Sequence, residues 1–206
     1  MSKVRMGVVG AAAVLIALIA VLVGRELLTG ASKSPVATHA NGTAAIGGPF
    51  ALTDHTGRAV TDADFKGAHM LVYFGFTFCP DVCPTTLQTV GLALDRLGAL
   101  ADRVRPVFVT VDPERDSPAV LGEYVRHFHP RLVGLTGSAA QIAAIAKAYR
   151  LYYAEAPASD GGGPDDYTMD HSSILYLIGP DGVFVTHFAH GTSAEALARG
   201  LSEHLQ

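Results

Sequence analysis

Two cysteines, separated by three residues, are the only thiols in the chain of 206 residues: Cys79 and Cys83 lie in the segment FTFCPDVCP. Pro80 and Pro84 restrict the local backbone, because proline inside a helix removes a hydrogen bond and clashes with the preceding turn. We therefore predict a helix that begins near Val82 or Cys83, with Cys79 in the loop before it. The free amides and the dipole of a first helical turn favour a thiolate, here on Cys83. The pair is predicted to be chemically reactive.

Metal binding is one chemistry that such a pair supports. Thiolates are soft ligands that select Cu(I) or zinc over hard cations, and a site with only two cysteines needs a further ligand. The candidate is His171 in DYTMDHSS, where a loop meets a predicted strand. Spacing alone does not prove that His171 reaches Cys79 and Cys83. Asp112 is interpreted as a turn residue that also neighbours the site, and Met169 as a packing residue outside the ligand set.

Redox chemistry is the second use of the same pair. A purely structural disulfide is an alternative, although a bridge that closes so small a loop constrains the unfolded chain little. Disulfide sulfurs lie about 2.05 Å apart, whereas two thiolates on one metal at about 2.3 Å and a trigonal angle lie about 4 Å apart. Disulfide and metal therefore exclude each other, and metal loading is predicted to require reduction of Cys79 and Cys83.

The elements that must position these residues alternate along the chain. Continuous apolar runs predict buried strands, and apolar residues at three- and four-residue spacing predict helices. Thr56-Gly57 and Pro180-Asp181-Gly182 mark two β-hairpins. The glycine-rich stretch 155–166 is predicted to be a mobile loop. The predicted strands are MLVYFGF (70–76), VRPVFVTVD (104–112) and RLVGLTG (131–137), and the predicted helices lie within 85–100, 117–128, 138–153 and 193–206.

This order of elements predicts the fold class. Strands that alternate with helices and end in a hairpin plus a helix indicate a central sheet with helices on both faces. We predict a thioredoxin-like α/β domain with an N-terminal β-hairpin extension. The cysteine loop follows the first central strand, and VDPERDSP (111–118) follows the second, so both are expected at one edge of the sheet.

The N-terminal region has a different composition. Residues 6–24 carry no charged side chain. The length of this segment matches the roughly 19 or 20 residues that a bilayer core requires. Charge bias places the N-terminus in the cytoplasm. We predict a cytoplasmic N-terminus (1–5), a single transmembrane anchor (6–27), a flexible tether (28–48) and a folded domain (49–206). A cleaved signal peptide is the alternative for the apolar segment.

Charge excludes one class of function. The formal net charge is −4 and no segment is rich in Lys or Arg, so no basic face is available for nucleic-acid phosphates. We predict no binding to nucleic acid.

Three separated motifs carry a family resemblance. CPDVCP, VDPERDSP and DYTMDHSS occur in this order, and the chain resembles the Sco/SenC family from its apolar N-terminal segment to about Leu205. The resemblance implies an anchored thioredoxin-like copper chaperone that assists assembly of the binuclear copper centre in cytochrome c oxidase. It places the family's metal ligands on Cys79, Cys83 and His171.

The resemblance also carries expectations about cofactor, partners and location. The expected cofactor is copper, as Cu(I) and also as Cu(II). The expected partners are cytochrome c oxidase subunit II or another copper-protein acceptor and a periplasmic thiol reductant. The expected location is the cytoplasmic (inner) membrane, with the C-terminal domain exported to the periplasmic side.

Two alternative functions use the same cysteines. A thiol:disulfide oxidoreductase or peroxidase would use Cys79 and Cys83 as a catalytic redox pair. Thioredoxin-type enzymes carry C-x-x-C, so the additional residue argues against that mechanism. A redox or copper sensor that signals to a partner is the other alternative.

Overall fold

A seven-stranded mixed sheet forms the centre of the fold, with strand order β2-β1-β5-β4-β3-β8-β9. The computed structural model describes residues 46–157 and 167–205. β3, β4 and β5 are mutually parallel, whereas the remaining neighbours pair antiparallel. The strands of this sheet are β1 (Ala51–Asp54), β2 (Ala59–Thr61), β3 (His69–Gly75), β4 (Val104–Thr110), β5 (Val133–Thr136), β8 (Ile174–Ile178) and β9 (Phe184–Ala189).

Four α-helices follow strands or loops as the sequence predicts, but the helix predicted over 138–153 ends at Ala148, and Tyr153 belongs to a strand. Helix α1 begins at Val82, as expected from the two prolines, and the Ser117 hydroxyl caps α2 by accepting from the Val120 amide. The predicted hairpin at Thr56-Gly57 is confirmed by antiparallel pairing of β1 with β2. The helices are α1 (Val82–Leu97), α2 (Pro118–Val125), α3 (Ala139–Ala148) and α4 (Ala194–His204), with short 3-10 helices at Asp62–Phe65 and Gly98–Arg103.

The core is centred on β3 and β4. Every residue from Met70 to Phe76 is buried, so both faces of the central strand are covered. This burial explains why β3 reads as a continuous apolar run rather than an alternating one. Since β3 and β4 are parallel, the loops that follow them leave the sheet at the same edge. The thioredoxin-like α/β fold with an added β1–β2 hairpin is as predicted.

One prediction about the connecting segments is wrong. Glu155–Pro157, expected to begin a mobile loop, belongs to a strand, β6 (Tyr153–Pro157), which pairs antiparallel with β7 (Tyr167–His171) in a separate two-stranded sheet. Backbone pairing with β7 overrides the loop preference of the local composition. The rest of the predicted loop, 158–166, lies outside the described residues.

The predicted N-terminal segments fall largely outside the described residues. The expected cytoplasmic N-terminus (1–5), the anchor (6–27) and most of the tether (28–48) are among them. Within residues 46–157 and 167–205, no helix is both long enough and apolar enough to span a bilayer. Gly47, which precedes the predicted start of the folded domain at residue 49, already contacts that domain. Its amide donates to the Ala148 carbonyl oxygen at 3.0 Å.

Candidate metal and redox site

The cysteine loop lies at the edge of the sheet where β3 ends. Cys79 is in the turn between β3 and α1, and Cys83 is the second residue of α1. Gly75, the last residue of β3, allows the helix to approach closely: a Cβ atom there would lie 2.7 Å from Cys83 Sγ and 2.8 Å from the Phe108 ring. The close packing of helix on strand therefore depends on a residue without a side chain.

The two thiols have different environments. Both are free, but Cys83 is fully buried and Cys79 is half-buried. The Cys83 amide donates to Cys79 Sγ at 3.4 Å, so the sulfur of Cys79 accepts from the first turn of α1. The helix terminus thus acts on the loop cysteine rather than on the cysteine inside the helix.

The ionisation of the pair follows from this arrangement. A hydrogen bond from the Cys83 thiol, to which the Cys83 amide adds a second bond, lowers the pKa of Cys79 to about 4 against the opposing effect of burial. Donation to Cys79 and then burial raise the pKa of Cys83 far above its ordinary value. Our expectation of a thiolate on Cys83 is therefore wrong. The hydrogen bond that Cys83 donates to Cys79, the burial of Cys83 and the neighbouring Cys79 charge all favour a neutral thiol at Cys83.

His171 meets the cysteines from another element. It is the last residue of β7, and its Nε2 lies 3.5 Å from Cys83 Sγ. Its ring packs edge-on against Phe76 and Tyr73, with centroids 5.9 and 6.2 Å away. Nδ1 lies 3.3 Å from the Ser172 carbonyl oxygen, which can only accept, so this contact favours the tautomer with the proton on Nδ1. The lone pair of Nε2 is then free to face Cys83 Sγ.

Tyr73 lies beneath the site. Its hydroxyl is 3.8 Å from Cys83 Sγ and 3.0 Å from Ser173 Oγ, and the residue is fully buried. Burial raises the pKa of Tyr73, which keeps the phenol neutral. Tyr73 therefore provides a hydroxyl that links the cysteine loop to the segment after His171.

A buried carboxylate fixes the start of the cysteine loop. Asp116 is fully buried and accepts from the Thr77 amide at 3.0 Å, the Thr77 hydroxyl at 2.5 Å and the Thr110 hydroxyl at 2.6 Å. Burial raises the pKa of Asp116 despite these bonds. Since Thr77 is two residues before Cys79 and Thr110 ends β4, Asp116 joins the cysteine loop to the central sheet.

Asp112 also lies at this edge, as expected, and contacts the site through other side chains. It is buried, pairs with Arg115 and accepts from the Tyr167 hydroxyl at 2.9 Å. Met169 is buried in the core, in agreement with its interpretation as a packing residue. His187 and His190 are exposed on β9 and the segment that follows it.

Sequence reasoning missed several residues that build this edge. Tyr73, Thr77, Arg115 and Asp116 were not recognised because their partners lie far along the chain; the Arg115 guanidinium, for example, donates to the carbonyl oxygen of Tyr167. The available signal was the VDPERDSP motif, which indicated a turn but not which of its side chains contact distant residues. Among the described residues, no group of three His, Cys, Asp or Glu side chains is already arranged as a metal cluster.

Comparison with known proteins identifies the family. The SCO1/SenC family model matches residues 38–206. The SCO2 homologue of Bos taurus is 46% identical over 165 residues, which cover 79% of this chain and 61% of the relative. The chain therefore belongs to the SCO1/SenC family. It spans between 53% and 64% of the lengths of the mammalian relatives that it matches.

Solved structures of similar proteins share the fold. Arabidopsis thaliana ScoI with copper bound is 40% identical, with a TM-score of 0.73 and coverage of 78% of this chain and 98% of that one. Bradyrhizobium japonicum ScoI with copper bound is 46% identical, with a TM-score of 0.70 and coverage of 77% and 99%. BsSco, described as having a disulfide switch and as a member of the Sco family of cytochrome c oxidase assembly proteins, is 25% identical, with a TM-score of 0.59 and coverage of 77% and 92%.

Proposed function

We propose that this protein is a membrane-anchored copper chaperone that binds copper through Cys79, Cys83 and His171 and assists assembly of the binuclear copper centre of cytochrome c oxidase. The observation that carries the proposal is the meeting of two thiols and one imidazole at a single sheet edge, in a family that includes solved structures with copper bound. The chain's own geometry supports these three residues as the site, and the copper-bound relatives support copper as the metal.

The donor set suits copper. Two thiolates and a neutral imidazole form a soft three-coordinate site that favours Cu(I) and is able to hold Cu(II). Ligands at about 2.3 Å for sulfur and about 2.0 Å for nitrogen, in a trigonal arrangement, lie about 3.7 Å apart. The distance of 3.5 Å between Cys83 Sγ and His171 Nε2 is close to this separation. A structural zinc site normally has four protein ligands, so three favour copper.

Anaerobic Cu(I) titration of the full chain in detergent tests the ligand set. Cys79→Ser and Cys83→Ser should lose stoichiometric binding, and His171→Ala should bind more weakly. His187→Ala is the matched control because His187 is exposed on β9, and it should bind like the unmodified chain. Undiminished binding in the cysteine and His171 variants would refute the assigned site.

The acceptor is tested in cells. A deletion strain should have reduced cytochrome c oxidase activity that added copper partly restores, whereas the unmodified chain should restore it fully. Normal oxidase activity in the deletion strain contradicts the proposed acceptor.

A fusion reporter after residue 48 tests the proposed periplasmic location, since a reporter active only in the cytoplasm would contradict it.

The asymmetry of the thiols supports a second function, reduction of a disulfide in the acceptor. Cys79 is half-buried and receives hydrogen bonds, whereas Cys83 is buried and donates one. The Cys79 thiolate would attack one acceptor sulfur and expel the other as a thiolate. Cys83 would then lose its proton and displace the acceptor from the mixed disulfide, leaving Cys79–Cys83 oxidised and the acceptor with two thiols.

Trapping separates this function from metal delivery alone. Cys83→Ser should accumulate a mixed disulfide through Cys79 with a disulfide-containing copper-site peptide, and Cys79→Ser should accumulate none. Equal trapping by both variants, or by neither, contradicts an attacking role for Cys79.

A further inference from the structure

The imidazole of the candidate site is carried by a hairpin outside the central sheet. β6 and β7 pair with each other, and their described backbone makes no ladder with the seven-stranded sheet. The cysteines, in contrast, follow directly from β3 of that sheet. The backbone joins His171 to β8 through only two residues, whereas the start of β7 is held by side chains that join the hairpin to the rest of the molecule.

Tyr167 makes such a junction at the start of β7. Its hydroxyl donates to Asp112 Oδ1 at 2.9 Å, and its carbonyl oxygen accepts from Arg115 Nη1 at 2.9 Å. The Arg115 guanidinium carbon also lies 3.7 Å from the centroid of the Tyr167 ring. Three contacts of different kinds thus hold this residue to the loop after β4.

Arg115 reaches the cysteine loop as well. Its guanidinium carbon lies 4.9 Å from the ring centroid of Phe78 and 6.0 Å from that of Phe76, both within cation–π range. Phe78 directly precedes Cys79, and the Phe76 ring packs against His171. A single guanidinium therefore contacts the cysteine loop and the histidine hairpin.

The position of Arg115 is itself fixed. Its Nε pairs with the buried Asp112 carboxylate, and the Asp112 amide donates to the Thr110 hydroxyl at 2.9 Å at the end of β4. The Asp116 amide donates to the Asp112 carbonyl oxygen at 3.0 Å, which closes the turn. A planar guanidinium is able to pair at one edge while stacking on a ring, which a lysine ammonium is not.

We propose that Arg115 is a positioning residue that, with Asp112 and Tyr167, sets the position of His171 relative to Cys79 and Cys83. The inference rests on the proposed copper site for its functional meaning, but the positioning itself is a property of the metal-free protein. Arg115 acts through Tyr167 on the hairpin and does not touch the metal.

Amide hydrogen exchange on the metal-free full chain in detergent tests the positioning. Arg115→Gln should make the β7 amides exchange about tenfold faster, the size expected for loss of one charge-assisted hydrogen bond. Arg115→Lys should show most of the same increase, because lysine keeps the charge without the planar fork. The control is Arg199→Gln, which removes an exposed ion pair with Glu195 on α4 and should leave β7 unchanged. Unchanged exchange in Arg115→Gln, or complete rescue by Arg115→Lys, overturns the proposal.

A double-mutant cycle tests the consequence for copper. Arg115→Gln should weaken Cu(I) binding about tenfold in the unmodified chain, as is typical of residues that orient a ligand, and less than about twofold in the His171→Ala background. Equal weakening in both backgrounds would show that Arg115 acts elsewhere and would overturn the proposal. If the unmodified chain binds no Cu(I), the proposed function fails, and the exchange measurement alone decides the positioning role.

Discussion

The cysteine side and the histidine side of the site are held in place by different means. The cysteines follow the most deeply buried strand, and Asp116, Thr77 and Gly75 fix their loop through hydrogen bonds and close packing inside the core. His171 ends a two-stranded hairpin, is itself half-buried, and is separated from β8 by two residues; aromatic, hydroxyl and guanidinium contacts also join the hairpin to the domain.

The difference separates two tasks of the site. Residues fixed by the core keep the sulfurs close and give them unequal acidity, which a redox pair requires. A ligand on a separate hairpin is positioned by side chains that can be changed without opening the core. Variants on the cysteine side should therefore alter global stability or thiol chemistry, whereas variants on the histidine side should alter local order and metal affinity.

The largest expected effect is on the reactivity of Cys79. Because its pKa is lowered to about 4, the rate of alkylation by iodoacetamide should stay nearly constant as the pH falls to about 5 and decrease by half near pH 4. Below that pH the thiolate is protonated and reactivity is lost. Cys83→Ala removes the main hydrogen-bond donor, so the midpoint should move upward. A midpoint near the ordinary thiol value of about 8.5 in the unmodified chain would contradict the assigned thiolate.

Loss of the buried carboxylate should have the next largest effect. Asp116→Ala leaves the Thr77 amide and the hydroxyls of Thr77 and Thr110 without their acceptor, and should lower the free energy of unfolding by about 2–4 kcal/mol. Circular dichroism during urea denaturation measures this free energy of unfolding. The control is Asp170→Ala on the histidine hairpin, where the side chain is exposed and a change within about 0.5 kcal/mol is expected. Equal losses in the two variants would remove the distinction between the two sides.

A methyl group at Gly75 should disturb the packing of α1 on β3. Gly75→Ala places Cβ within 3 Å of Cys83 Sγ and of the Phe108 ring, and should cost about 1–3 kcal/mol of unfolding free energy. Gly122→Ala is the comparison, since its nearest neighbour is the His55 carbonyl oxygen at 3.4 Å. If Gly75→Ala is as stable as Gly122→Ala, the close approach is not required for the cysteine loop.

The smallest effect on global stability is expected on the histidine side. Tyr167→Phe removes one hydroxyl that donates to Asp112, so the free energy of unfolding should fall by about 1 kcal/mol or less. The β7 amides should nevertheless exchange faster, because the hairpin loses one junction with the loop after β4. Tyr152→Phe, at an exposed tyrosine, should change neither quantity. A large loss of global stability in Tyr167→Phe would show that the hairpin contributes to stability as the core does, and would contradict the difference between the two sides.

Local signals in the sequence were sufficient for much of the fold. Apolar runs, the two prolines beside the cysteines and turn dipeptides indicated β3, β4, the start of α1 and the β1–β2 hairpin, because each depends on neighbouring residues. β6 and β7 were missed since their pairing joins segments on either side of a glycine-rich stretch whose composition favours a loop.

By itself, the sequence determined that two cysteines lie at a strand-to-helix turn, and its three motifs indicated the family. Only the tertiary structure decided that Cys79 rather than Cys83 carries the thiolate, because desolvation and hydrogen bonds depend on the packed environment. It also brought His171 to 3.5 Å from Cys83 Sγ across 88 positions of sequence. Contacts between residues so far apart arise from the folding of the whole sheet, and no local sequence pattern predicts them.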